Sequence, residues 1–137
     1  MGKAREQILD ILHCSEAGYH PQVWSGGWRV AYLNDTPRFH RENIVDMQRH
    51  NTSDEVFVLL EGHCTLYIGN GEAADVGEVT PVPMERGVLY NVRRGVWHTH
   101  VTEEGARLVI VENSEVSKDN SDYASFRIGE GDVGAAL

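Results

Sequence analysis

From Gly18 onward the chain is a succession of short runs rich in Val, Trp, Tyr, Leu, Phe and Ile, broken about every eight residues by Gly, Asn-Asp or Pro clusters. That rhythm leaves no room for long helices and restricts the fold to an antiparallel sandwich or barrel. Strands are expected near 22–24, 28–33, 43–50, 55–60, 63–68, 72–76, 87–92, 97–101 and 107–112. Asn70-Gly71 favours a tight two-residue hairpin, whose central positions need positive φ. The run Val56-Phe57-Val58-Leu59-Leu60 is apolar on both faces, so its strand belongs between two packed layers.

Outside this region the texture changes. Ile8, Leu9, Ile11 and Leu12 recur at helical spacing among polar residues, predicting a short amphipathic helix within 4–13. After Glu112 the chain turns polar, and a surface-wrapping segment with a frayed end is expected. The resulting division is a helical extension over 1–20, one barrel over 21–115, and a C-terminal wrap and flexible tail over 116–137. The 137 residues fit a single domain.

Charge and cysteine usage exclude several functions. Acidic residues outnumber basic ones 21 to 12, for a formal net charge of -9, so a phosphate-tracking nucleic-acid surface is not expected. The apolar patch near the N-terminus is too short and too interrupted for a signal sequence or a membrane span, which predicts a soluble, cytoplasmic protein with no membrane partner. Cys14 and Cys64 are then expected to be reduced and to act as small hydrophobes. The triplets beginning at Asn34 and Asn51 match the glycosylation pattern by chance.

Chemistry concentrates in two stretches. In the first, alternation along a strand points Gln48 and His50 to the same face, a four-residue turn follows, and Glu55 opens the next strand opposite His50. An imidazole, a carboxamide and a carboxylate thus converge on a point, as a first-row or zinc-like cation requires. In the second, His98 follows a Gly turn at the start of a strand and His100 shares its face. If the two strands stack across a barrel, His98 supplies a second imidazole.

The first stretch, His50-x4-Glu55-x6-Gly62, resembles the first cupin motif, and Gly87-x5-Arg93-x-Gly95-x2-His98 resembles the second. Gln48 stands where the first motif has a His, Arg93 replaces a Pro, and Thr102 replaces an Asn. The resemblance implies an all-β, double-stranded β-helix (jelly-roll) barrel of the RmlC-like, cupin 2 type. It implies His50, Glu55 and His98 as ligands of a divalent metal (Mn, Fe, Ni or Zn), a set that leaves coordination positions free for substrate or dioxygen. In ligand types alone, Gln48 with these three is similar to the set of cupin-type phosphomannose isomerases.

Gln48 is either a weak fourth ligand or a hydrogen-bonding wall residue. His100 is the candidate catalytic residue, as a proton shuttle, a partner of a ligand or a substitute ligand; the bland alternative is a polar group lining the barrel. Two readings follow: an enzyme acting on a small polar metabolite, sugar-like or carboxylic, of isomerase, dioxygenase or lyase type, or a non-enzymatic small-molecule binding or sensor protein with a degenerate site. A homodimer is expected, because the Trp24–Leu33 region is too apolar for a bare edge. His13, His20, His40 and His63 read as surface or satisfied residues. Trp24, Trp28, Phe57, Tyr67, Tyr90 and Trp97 read as core.

Overall fold

The computed structural model describes residues 2–129. Its strands form two five-stranded sheets whose hydrogen-bonded neighbours are all antiparallel. The first sheet contains, in spatial order, β1 (Gly18–Ser25), β2 (Trp28–Asn34), β9 (Arg107–Asn113), β4 (Glu55–Glu61) and β7 (Leu89–Val92). The second contains β10 (Ser121–Ser125), β3 (Asp46–His50), β8 (Trp97–Thr102), β5 (Cys64–Gly69) and β6 (Val79–Pro83). This is the all-β jelly-roll architecture that the strand rhythm and motifs predict. Among the described residues no helix is long and apolar enough to cross a membrane.

Between the sheets, alternate residues of several strands form the main core, including Leu33, Phe57, Leu59, Leu66, Leu108 and Ile110. A second, smaller core of Met47, Tyr67 and Trp97 lies on the other face of the second sheet, under Val76, Val79, Phe126 and Ile128. Strand β8 is consequently buried on both sides. Trp97 and Thr99 face one way, while His98, His100 and Thr102 alternate with them. The turn from β4 to β5 depends on Gly62: its φ is +75°, and a Cβ there would meet the Ala106 backbone at 2.7 Å.

Several expectations need correction. The helix predicted within 4–13 is a single 3-10 turn at Arg5–Gln7, and Ile8, Leu9, Ile11 and Leu12 are 41–74% exposed. With no core surface to receive its apolar face, so short a helix gains too little to form. No strand occupies 72–76. Asn70 and Gly71 open a longer loop in which the Asn70 side chain accepts from Glu78 N, and Ala73 O accepts from Trp97 Nε1 and from Arg49.

The partner of β5 is instead Val79–Pro83, a segment outside the expected strands and interrupted by Pro81 and Pro83. Both prolines are tolerated because β6 is an edge strand, where a missing N–H leaves no gap in the ladder. Ser121–Ser125, expected to wrap the surface, pairs in register with β3. The tail beyond 129 lies outside the described residues. Trp24 and Trp28, read as core, are 59% and 46% exposed at the β1–β2 hairpin end, whereas Phe57, Tyr67 and Trp97 are buried as expected.

Leu108 is fully buried at the centre of the main core. Leu108→Ala is expected to cost about 2–5 kcal/mol through lost burial and a residual cavity. Urea unfolding of the purified variant measures this, and a midpoint equal to that of wild type would place the principal core elsewhere.

Candidate metal centre

Both sheets contribute to one buried cluster. His50 ends β3, Glu55 opens β4 on the opposite sheet, and His98 is the second residue of β8. Backbone bonds hold these elements in relation: Gly95 N, in the turn before β8, donates to His50 O at 2.7 Å. Asp54, next to Glu55, accepts from Arg94 N and from the Asn91 side chain, which ties the start of β4 to the same turn. The turn chemistry read from Arg94-Gly95 therefore aligns three separate strand ends.

Glu55 Oε1 lies 3.0 Å from His98 Nε2 and 3.3 Å from His50 Nε2. The ligand atoms of the three residues all fall within 4.8 Å of one another, and all three side chains are buried. His98 Nδ1 contacts Val96 O at 2.9 Å, and because a carbonyl only accepts, that nitrogen carries the hydrogen. In the neutral ring the Nε2 lone pair therefore points at the Glu55 carboxylate. Two electron-rich atoms at 3.0 Å require a positive charge between or on them, either a proton or a cation. His50 is arranged similarly, with Nδ1 at 2.8 Å from Ser121 Oγ and Nε2 toward Glu55. Two imidazoles with their outer nitrogens engaged, plus one carboxylate, are the donor set of a first-row or zinc-like cation, so these residues fit a divalent metal.

Burial by itself raises the pKa of Glu55. Hydrogen bonds from His50 and His98 outweigh it and hold the carboxyl well below the usual carboxylate range. Directly across the β4–β9 ladder stands Glu112. Burial, then the hydrogen bond to Glu55 and the Glu55 charge, moves the Glu112 pKa upward. Tyr19 donates to Glu112 Oε1 at 2.5 Å and Arg29 Nη2 donates to the same oxygen at 2.7 Å, both opposing that upward shift. Burial followed by Glu112 pushes the Tyr19 phenol up. Sequence reading missed Tyr19, Arg29, Glu112 and Ser121. Only Glu112 left a trace, as a carboxylate closing an otherwise apolar strand.

A cavity of about 300 Å3 opens over the cluster, lined by His50, Glu55 and Glu112 together with Gln48, His100 and Lys118. Gln48 pairs with His98 across β3 and β8, so alternation sets it beside His50 as read from sequence. His100 lies farther along the same face of β8, between the rings of Phe39 and Phe57 at 4.8 and 5.8 Å. Both its ring nitrogens are buried without a hydrogen-bond partner. Burial lowers its pKa to about 4, so the ring is neutral at pH 7. Among the other histidines, His40 pairs with Asp35 at 2.9 Å.

No family model matches the chain, and no curated protein matches it in sequence. Solved structures do resemble it. A cupin-2 domain containing protein from Shewanella frigidimarina is 17% identical with a TM-score of 0.54, covering 72% of this chain and 83% of its own. A Streptomyces PAC13 variant with uridine is 13% identical with a TM-score of 0.54, covering 78% and 75%.

His100 sets a pH dependence that can be measured in chelator-treated protein. The unfolded imidazole takes up a proton near 6.5 and the folded one only near 4, so stability is fully present above 6.5 and is lost as pH falls toward 4. The loss is on the order of 3 kcal/mol. Denaturant titrations across this window are expected to show the slope in wild type and its disappearance in His100→Leu. An unaltered slope in the variant would assign it to other groups.

Proposed function

Starting from the cupin fold of this chain, we propose that it is a metal-dependent enzyme in which His50, Glu55 and His98 hold a divalent cation and the adjoining cavity binds a small polar metabolite, sugar-like or carboxylic. The observation that carries this reading is the approach of the His98 Nε2 lone pair to the Glu55 carboxylate at 3.0 Å, with Nδ1 already committed to Val96 O. When bound, such a cation supplies Lewis acidity to a carbonyl or hydroxyl oxygen.

The chain's own side chains divide the remaining work. Gln48 either completes the donor set or hydrogen-bonds the ligand from the wall. His100, neutral and unmet, offers one N–H and one lone pair to a ligand hydroxyl, and is the residue proposed to touch substrate. Glu112, held by Tyr19 and Arg29, places a second carboxyl beside the site. A cavity of about 300 Å3 lies at the small end of ligand sites, which limits the metabolite to a compact molecule. We further propose a cytoplasmic setting, in keeping with two free cysteines, and a homodimer that covers Trp24 and Trp28 at the β1–β2 hairpin end.

The unmet nitrogens of His100 also favour a second reading, a binding or sensor protein whose ligand contacts that wall without turnover. Elemental analysis of protein purified without an affinity tag decides first. Near-stoichiometric Mn, Fe, Ni or Zn is expected in wild type and one equivalent fewer in His50→Ala and His98→Ala; an unchanged metal content in either variant overturns the assignment. Ser121→Ala is expected to weaken metal binding by roughly 10–100-fold, because the Nδ1 contact that orients His50 is lost. Competition with a chromogenic chelator reads that change. With metal established, turnover of sugars or small acids separates the enzyme from the sensor.

A further inference from the structure

Away from the barrel interior, three chemically apt side chains meet where the N-terminal arm joins β1. A ligand atom each from Cys14, Glu16 and His20 all lie within 4.8 Å of one another. We propose that these three residues form a second divalent-cation site, of zinc type, which clips the arm to the edge of the first sheet.

The donor set is a thiol, a carboxylate and an imidazole, the combination that suits zinc better than magnesium or calcium. Tetrahedral zinc, with bonds of about 2.0–2.3 Å, spaces its ligand atoms roughly 3.3–3.8 Å apart, so a small closure of side-chain torsions suffices. Cys14 and His20 are half-buried and Glu16 is exposed, which leaves them free to make that closure and leaves one coordination position to water. Among the described residues neither the Cys14 thiol nor the Glu16 carboxylate takes part in any hydrogen bond or ion pair. The three groups converge without satisfying one another.

The backbone beneath them is fixed by side chains of the sheet. Asn34, buried at the end of β2, donates through Nδ2 to Cys14 O at 3.0 Å and to Glu16 O at 2.8 Å. Arg107 donates to Cys14 O at 3.1 Å. His20 Nε2 donates to Ala17 O at 2.8 Å, so in the neutral ring Nδ1 keeps the lone pair. A carbonyl that holds the outer nitrogen of a ligating histidine is the usual supporting contact in zinc sites. Binding displaces the Cys14 thiol proton to solvent, and thiolate plus carboxylate then neutralise the dication.

This site shares no ligand with the barrel cluster. His20 adjoins Tyr19 of the Glu112 network, but strand alternation turns the two side chains to opposite faces of β1. The two sites also differ in chemistry, because the barrel cluster contains no thiol. Cys64 is buried in the main core.

Cobalt(II) titration of the full reduced chain tests the proposal, since a thiolate bound to cobalt gives a near-ultraviolet charge-transfer band that imidazole and carboxylate do not. The band is expected to saturate at one equivalent in His98→Ala, where the barrel donor set is broken, and to reach the same amplitude in wild type, where the barrel takes up a second equivalent. Cys14→Ser should abolish it, and Glu16→Gln and His20→Ala should each weaken cobalt binding at least tenfold. Added zinc should raise the melting temperature of His98→Ala but not that of the double variant with Cys14→Ser, with circular dichroism confirming that both are folded. A band that persists in Cys14→Ser, or none in folded wild type, overturns the proposal and leaves the barrel assignment untouched.

Discussion

A carboxylate buried between two sheets is the constraint around which the site is organised. Glu55 is only 6% exposed, and an isolated charge there would be too costly for the fold to retain. Its compensation comes from His50 and His98 on the facing sheet. Each partner requires a particular register. The Glu55–Glu112 pairing needs β4 and β9 in phase, and the Gly95–His50 bond needs the β7–β8 turn seated on β3. A slip of one residue in any of these strands would move a ligand to the wrong face.

The two sheets are covered unequally, and this shapes the molecule's surface. The outer face of the second sheet is sealed by the 70–78 loop and by residues up to Ile128, with Arg49 lying over the Trp97 ring at 4.6 Å. That loop contains the residues whose expected strand never forms; they cap Trp97 instead. On the β1–β2 side of the first sheet Trp24 and Trp28 are exposed, and only the irregular N-terminal arm crosses near Tyr32 and Asn34. One flank is therefore covered by the chain's own loop and C-terminal residues, and the other by the irregular arm alone among the described residues.

Barrel geometry does not by itself choose a reaction. Around the cavity stand a neutral imidazole whose two nitrogens are unmet among the described residues, a carboxamide and two carboxyl groups, beside the Phe39 ring. Fold likeness at 13–17% identity adds nothing to this choice, because the same scaffold carries many chemistries.

Most of the strands, the turn glycines and the convergence of His50, Glu55 and His98 were legible in the sequence. Strand alternation, Gly62 and Gly95 leave local signatures within a few residues, and the two stretches around the ligands are each contiguous. What remained hidden were relations between distant segments. Pro81 and Pro83 read as a turn because nothing local reveals that β6 is an edge, and Ser121–Ser125 read as surface because its polar residues gain their place only by pairing with β3. Tyr19, Arg29 and Glu112 meet over 93 positions of chain, and the orphaned nitrogens of His100 exist only because two phenyl rings from other elements enclose it. Sequence by itself determined which residues are able to ligate and which face of a strand they occupy, since both follow from side-chain chemistry and backbone period. Tertiary structure alone decided which of them meet and which are left without water, because burial and register belong to the assembled sheets.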